Sequence, residues 1–183
     1  MHAVMRLKPA DPAAHVEFAN LLMQEGNTHE AVVQLTVAQC LNPKPDANIA
    51  MNLATVFYQS RDFHRAVDEY QKVLAVHPDT TEALNNLAWL QATCSDETVR
   101  NGAQAVQHAE AACRLTSYQK TGMISTLGAA YAEAGRFPEA IATAEMAIQM
   151  ESTNGETQFA AVNRQLLELY KAGMPYHERP SGP

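Results

Sequence analysis

The sequence predicts an all-α solenoid built from antiparallel helix hairpins. Two columns of small residues share one register, the apolar residues around them follow a helical stripe, and turn residues or proline separate the stripes. One column runs through Ala19, Ala54, Ala88 and Gly128 at intervals of 35, 34 and 40 residues. The other runs through Ala31, Ala66, Ala105 and Ala140 at intervals of 35, 39 and 35. Where two helices cross closely, only Gly or Ala lets the backbones approach, while larger side chains a turn away fill the flanking grooves. One hairpin cannot bury its own stripe, so successive hairpins must stack.

Each segment follows in order. Residues 1–10 resemble the last turn and closing proline of a preceding second helix, so the chain is expected to begin mid-repeat, as a piece of a longer array. The first full unit, 11–45, opens on Asp11 and Pro12, an N-cap followed by a first-turn proline. In the second, 46–80, Ala50, Leu53, Ala54 and Phe57 form one stripe. Arg61 and Asp62 make a tight turn there, Phe63, Ala66, Tyr70, Val73 and Leu74 form the second stripe, and Pro78 stops it. The third, 81–118, is preceded by Asp79, which has capping-box spacing with Glu82. Its inserted turn, 94–101, reads as an extended helix plus a polar turn, with a projecting contact edge as the alternative. Cys94 and Arg100 are its reactive and charged members.

The fourth unit, 119–155, repeats the pattern with Ile124, Leu127, Gly128 and Tyr131, a turn at Gly135 and Arg136, then Phe137, Ala140, Ala144, Ala147 and Ile148. Thr153 and Glu156 have capping-box spacing ahead of a last amphipathic helix, 156–173. Leu166 stands there in the small column, and Asn163, Arg164, Gln165, Glu168 and Lys171 supply the polar outer side of a capping helix. Residues 174–183 hold three prolines and read as a flexible tail.

Composition excludes several functions. The formal charge is −7 with no Lys/Arg cluster, which speaks against nucleic-acid binding. Cys40, Cys94 and Cys113 show neither C-x-x-C nor zinc-ligand spacing, so a reducing, cytoplasmic setting is expected. No apolar stretch approaches the ~20 residues of a spanning helix, and the first residues lack the apolar core of a secretory signal. Direct membrane insertion is therefore not expected. Seven histidines show no ligand spacing. Ser125 falls inside a helix rather than on a nucleophile elbow, and no Gly-rich phosphate loop is present. The adjacent carboxylates Asp68 and Glu69, and Asp96 and Glu97, read as solvated. No cofactor, metal or catalytic constellation is expected, and the chain does not read as an enzyme.

The stretches AMNLATVFYQSRDFHRAVDEYQKVLAVHP and ISTLGAAYAEAGRFPEAIATAEMAI carry the spaced aromatic, L-G, Y, A, F and P positions of the tetratricopeptide repeat family. The chain resembles that family from residue 12 to about 151. His15 and Phe18 replace the usual aliphatics, Arg61 the turn glycine, and Ser152 the fourth closing proline. LNNLAWLQATCSDETVRNGAQAVQHAEAACRLT also looks like a unit recurrent in bacterial proteins of this kind. The resemblance implies a right-handed superhelix whose first helices line a concave face that receives an extended peptide or a helix of a partner protein.

Off the buried stripe, the first helices present Asn20, Met23 and Gln24, then Met51, Thr55, Tyr58 and Gln59, then Asn85, Trp89 and Ala92, with Val16 ahead of them and Asn52 and Asn86 beside the row. The fourth unit adds Ser125, Ala129, Ala132 and Glu133. Asn and Gln both donate to and accept from peptide backbone, Met adapts its shape, and Trp offers a large apolar contact. A peptide groove is expected, centred on Asn20, Met51, Asn52, Thr55, Tyr58, Asn85, Asn86 and Trp89, with Met23, Gln24 and Gln59 along it. The resemblance also argues against a grip on a C-terminal carboxylate. Asn20 matches one element of such a clamp, but Val16, Thr55, Asn85 and Trp89 occupy its other columns and bring no cation.

Two other readings stay open. The array is the non-catalytic, substrate-positioning region of a larger enzyme such as a bacterial glycosyltransferase. Or it self-assembles, pairing the apolar surface of its N-terminal hairpin around Val16, Leu21 and Leu22.

Overall fold

The computed structural model describes residues 10–42, 44, 46–154 and 160–179. The mid-repeat reading of residues 1–10 therefore lies almost wholly outside the described residues. Those residues form helices α1 (Pro12–Gln24), α2 (Thr28–Leu41), α3 (Ala47–Gln59), α4 (Phe63–Val76), α5 (Thr81–Thr93), α6 (Gly102–Leu115), α7 (Thr121–Glu133), α8 (Phe137–Asn154) and α9 (Ala160–Lys171). No strand occurs among them. This is the all-α helical-repeat architecture of a solenoid. The chain divides into two compact units, residues 1–78 and 79–183. In the first unit α1 packs on α2, α2 on α3 and α3 on α4, and α1 also meets α3. In the second, α5 to α9 pack in succession, with further contact between α5 and α7 and between α7 and α9.

Both small-residue columns are interior. Ala19, Ala54, Ala88, Ala31, Ala66, Ala105 and Ala140 have no exposed surface, and Gly128 is buried with them. Larger apolar side chains surround these crossings. In the second unit Leu87 and Ile124 are fully buried, each worth roughly 1.5–3 kcal/mol of transfer free energy.

Local chemistry sets the turns. Gly26 (φ 77°), Arg61 (φ 62°) and Gly135 (φ 74°) take the left-handed conformation after a first helix. In each case the next N–H reaches five residues back: Asn27 to Leu22 O, Asp62 to Phe57 O and Arg136 to Tyr131 O, all at 2.8 Å. That bond satisfies an orphan carbonyl at the helix end. Asn27 and Asp62 then cap the following helices, accepting from Glu30 N and Arg65 N at 3.3 Å. Arg61 holds the glycine conformation with its guanidinium 5.0 Å from the Phe63 ring centre.

The first helix of the third repeat lacks this cap, and the insertion differs from an extended helix. Helix α5 ends at Thr93, and the chain from Cys94 to Asn101 folds back onto the unit. Cys94 is fully buried and Val99 nearly so. Asn101 N donates to Gln91 O at 2.8 Å, and Arg100 Nη1 donates to Cys94 O at 2.7 Å. Cys94 is thus a shielded thiol rather than a reactive surface group. Burial raises its pKa above the ordinary value of 9.0.

Other local expectations also shift. The helix that the Asp79 and Glu82 pair was expected to cap starts one residue later. Its N-cap is Thr80, with no side-chain capping bond, and Glu82 accepts from Thr81 Oγ1 at 3.0 Å instead. Thr153 lies within α8, its hydroxyl donating to Gln149 O at 2.9 Å, while Glu156 lies outside the described residues. Asn163 is buried rather than outward, because its amide Nδ2 donates to the buried Glu151 Oε1 at 2.7 Å. Glu69 is also buried, paired with Lys72 Nζ at 2.7 Å. In the N-terminal hairpin Leu22 is buried, whereas Leu21 is 38% exposed.

Candidate functional site

The sequence-derived candidates fall on α1, α3 and α5. In the first unit Asn20, Gln24 and Gln59 are exposed, and Met23, Met51, Asn52, Thr55 and Tyr58 are half-buried. All stand off the stripe made by Phe18, Ala19 and Leu22 on α1 and by Leu53, Ala54 and Phe57 on α3. Thr55 Oγ1 donates to Met51 O at 2.9 Å, so the helix's own backbone engages that hydroxyl. The Tyr58 ring lies 6.0 Å from that of Phe63.

In the second unit Asn85, Asn86 and Trp89 are half-buried on α5. Asn85 Nδ2 donates to Asn86 Oδ1 at 3.4 Å, and Asn85 Oδ1 is buried with no partner among the described residues. Asn85 borders a hollow of about 340 Å³ with Gln119, Lys120 and Met123. One side of Trp89 packs on the Ala88, Ala92 and Ile124 core.

The other side of Trp89 meets residues that the periodic pattern does not select. Helix α9 ends at Gly173 (φ 69°), where Met174 N donates to Leu169 O at 3.0 Å. This is the cap used at Gly26 and Gly135, and it reverses the chain. Pro175 then opposes a new helix, and residues 174–179 lie outside any helix. Where the sequence suggests a loose tail, this segment crosses the ends of two first helices. His177 Nε2 lies 2.7 Å from Glu133 Oε2 at the end of α7. Glu178 N donates to Thr93 O at 2.7 Å at the end of α5, and Trp89 Nε1 donates to Glu178 Oε1 at 3.0 Å. The Tyr176 and Trp89 rings lie 6.1 Å apart. Between this segment, Trp89 and α9 runs a groove of about 870 Å³, with Leu166, Leu169 and Pro175 among its apolar walls.

Glu133 ties the segment to the insertion, since its Oε1 also accepts from Arg100 Nε at 3.0 Å. Helices α5 and α6 are joined beneath by Gln91, which donates to Gln104 Oε1 at 2.8 Å and lies 2.9 Å from His108 Nδ1. Burial lowers the His108 pKa, and that ring serves packing. His15 is likewise buried, 2.8 Å from Gln34 Oε1. Among the described residues no group of three His, Cys, Asp or Glu side chains is placed to hold a metal ion. No described helix is long and apolar enough to cross a membrane.

A tetratricopeptide repeat model matches residues 51–119. A tetratricopeptide repeat protein from Parabacteroides merdae superposes with a TM-score of 0.77 at 18% identity, covering 94% of this chain and 64% of that one. Pseudomonas aeruginosa pilF gives 0.68 at 25% identity, covering 88% of this chain and 68% of that one. The TPR2B domain of yeast Sti1, solved in complex with pHsp70, gives 0.60 at 15% identity, covering 69% of this chain and 96% of that one. No curated protein matches the sequence. The chain is an all-α helical-repeat protein that shares its fold with solved tetratricopeptide repeat structures.

Proposed function

We propose that the chain is a protein–protein interaction scaffold whose first-helix faces receive an extended segment or helix of a partner. Stacked helix pairs present repeated, solvent-facing positions that suit an elongated ligand. On α1 and α3 these positions carry amides, methionine and tyrosine, a surface that engages peptide backbone with little demand on sequence. The observation that carries the reading is the non-helical segment 174–179, which lies across the ends of α5 and α7 and hydrogen-bonds there through its own backbone N–H at Glu178. The similar fold of a Sti1 domain solved in complex with pHsp70 is in keeping with a protein ligand.

Selection of displayed peptides against the full chain tests this. Asn52→Ala combined with Asn20→Ala weakens the selected peptides at least about tenfold, whereas Gln71→Ala, an exposed change on the second helix α4, leaves them unchanged. Equal binding by both variants would remove the first-helix face as the site.

A further inference from the structure

We propose that the α5–α7 face of the second unit is a receptor for an extended aromatic–basic–acidic segment. The chain's own Tyr176, His177 and Glu178 occupy it as a tethered ligand, which a partner segment of the same pattern displaces. This rests on the reading that first-helix faces receive extended segments.

The insertion explains why the receptor lies here. After α1, α3 and α7 the left-handed cap returns an N–H to the helix end. After α5 the chain turns at Cys94 instead, and Asn101 reaches only Gln91 O. The Thr93 carbonyl, last of the helix, accepts from Glu178 N at 2.7 Å, an external donor on a segment outside any helix. An acceptor of this kind takes any peptide backbone. Three side chains then add selectivity. Trp89 offers a ring face to Tyr176 and an indole N–H to the Glu178 carboxylate. Glu133 offers a carboxylate oxygen to His177, while Arg100 holds its other oxygen. These contacts read an aromatic, a cation-capable and an acidic residue in succession, against one backbone anchor.

Gly173 and Pro175 deliver the self-ligand at short range, reversing the chain and keeping it out of helix. A tether this short keeps the segment at high effective concentration, so a free peptide of equal contacts competes poorly with it. Occupancy by a partner then depends on releasing the chain's own segment.

The single tryptophan reports on the site directly. A synthetic peptide of residues 174–183 is titrated into the full chain, into the Tyr176→Ala/Glu178→Ala variant and into Glu178→Gln, with Trp89 emission as the signal. The double variant binds the peptide at least about tenfold tighter than the unaltered chain, and Glu178→Gln falls between them. A peptide carrying the same two alanines does not bind. If the double variant melts early, Glu178→Gln, which keeps the side-chain volume, carries the comparison alone. Equal affinity in the unaltered chain and the variants, or no binding to any, overturns the self-ligand. Loss of displayed-peptide binding on the Asn20/Asn52 variant would still support the wider scaffold reading in that case.

Discussion

The indole N–H of Trp89 and the carboxylate of Glu178 meet at 3.0 Å across 89 residues of sequence. That bond joins the middle of a first helix to a segment beyond the last helix. Glu178→Ala removes it together with a charge-assisted acceptor. The variant loses about 1–2 kcal/mol of stability in urea unfolding, and acrylamide quenches its tryptophan more readily. A folded variant with unchanged quenching would mean that the segment does not cover the ring.

Glu133 serves two partners, Arg100 of the insertion and His177 of the terminal segment, and its side chain is 15% exposed. Glu133→Gln keeps the shape and removes the charge. It costs about 1–3 kcal/mol and raises amide hydrogen exchange in both 94–101 and 174–179. Exchange rising in one segment alone would break the proposed link.

Two glycines respond oppositely to alanine. A Cβ on Gly102 would stand 2.6 Å from Ala134 N and 2.7 Å from Glu133 C, both rigid backbone atoms. Gly102→Ala therefore forces α6 away from the end of α7 and costs about 1–3 kcal/mol. At Gly128 the nearest atoms, Ala140 O and Tyr170 Cε2, are 3.6 Å away, an ordinary contact. Gly128→Ala lies inside α7, where alanine is the better helix former, and it stabilises by about 0.5–1 kcal/mol. Thermal or urea unfolding gives both signs.

The cysteines divide by burial. Cys40 is exposed and Cys94 and Cys113 are buried. Burial, reinforced by Glu110, pushes the Cys113 thiol up to about 11. At pH 8 a thiol reagent labels Cys40 quickly and the other two only as the protein unfolds. The linkage sign follows from the raised value. The Cys113 contribution to stability is intact below the ordinary pKa of 9.0 and is lost as pH rises toward about 11. Rapid labelling of three thiols at pH 8 in the native protein would contradict this.

How much was legible depended on whether a feature repeats. The alanines at 19, 54, 88, 31, 66, 105 and 140 carry a periodic signal, and all seven are fully buried. Arg61 stands where the repeats place glycine, and its backbone takes the glycine conformation. The insertion and the terminal segment occur once, so no period marks them. Their structure comes from Arg100, Glu133, His177 and Glu178, which pair over long separations. Asn163 shows the same limit: spacing alone reads it as polar surface, yet Glu151 draws it inside. Among the candidate site residues, the sequence selects Trp89, whereas its partners carry no local pattern. One local sign exists in Gly173 followed by Pro175, a helix stop that also redirects the chain.

The most direct measurement is the indole ¹H–¹⁵N resonance of Trp89, which the single tryptophan makes unambiguous. In the unaltered chain this proton is expected to exchange slowly and to shift when Glu178 is changed to alanine. A resonance with the same position and exchange rate in both proteins would show that nothing seats on the α5–α7 face.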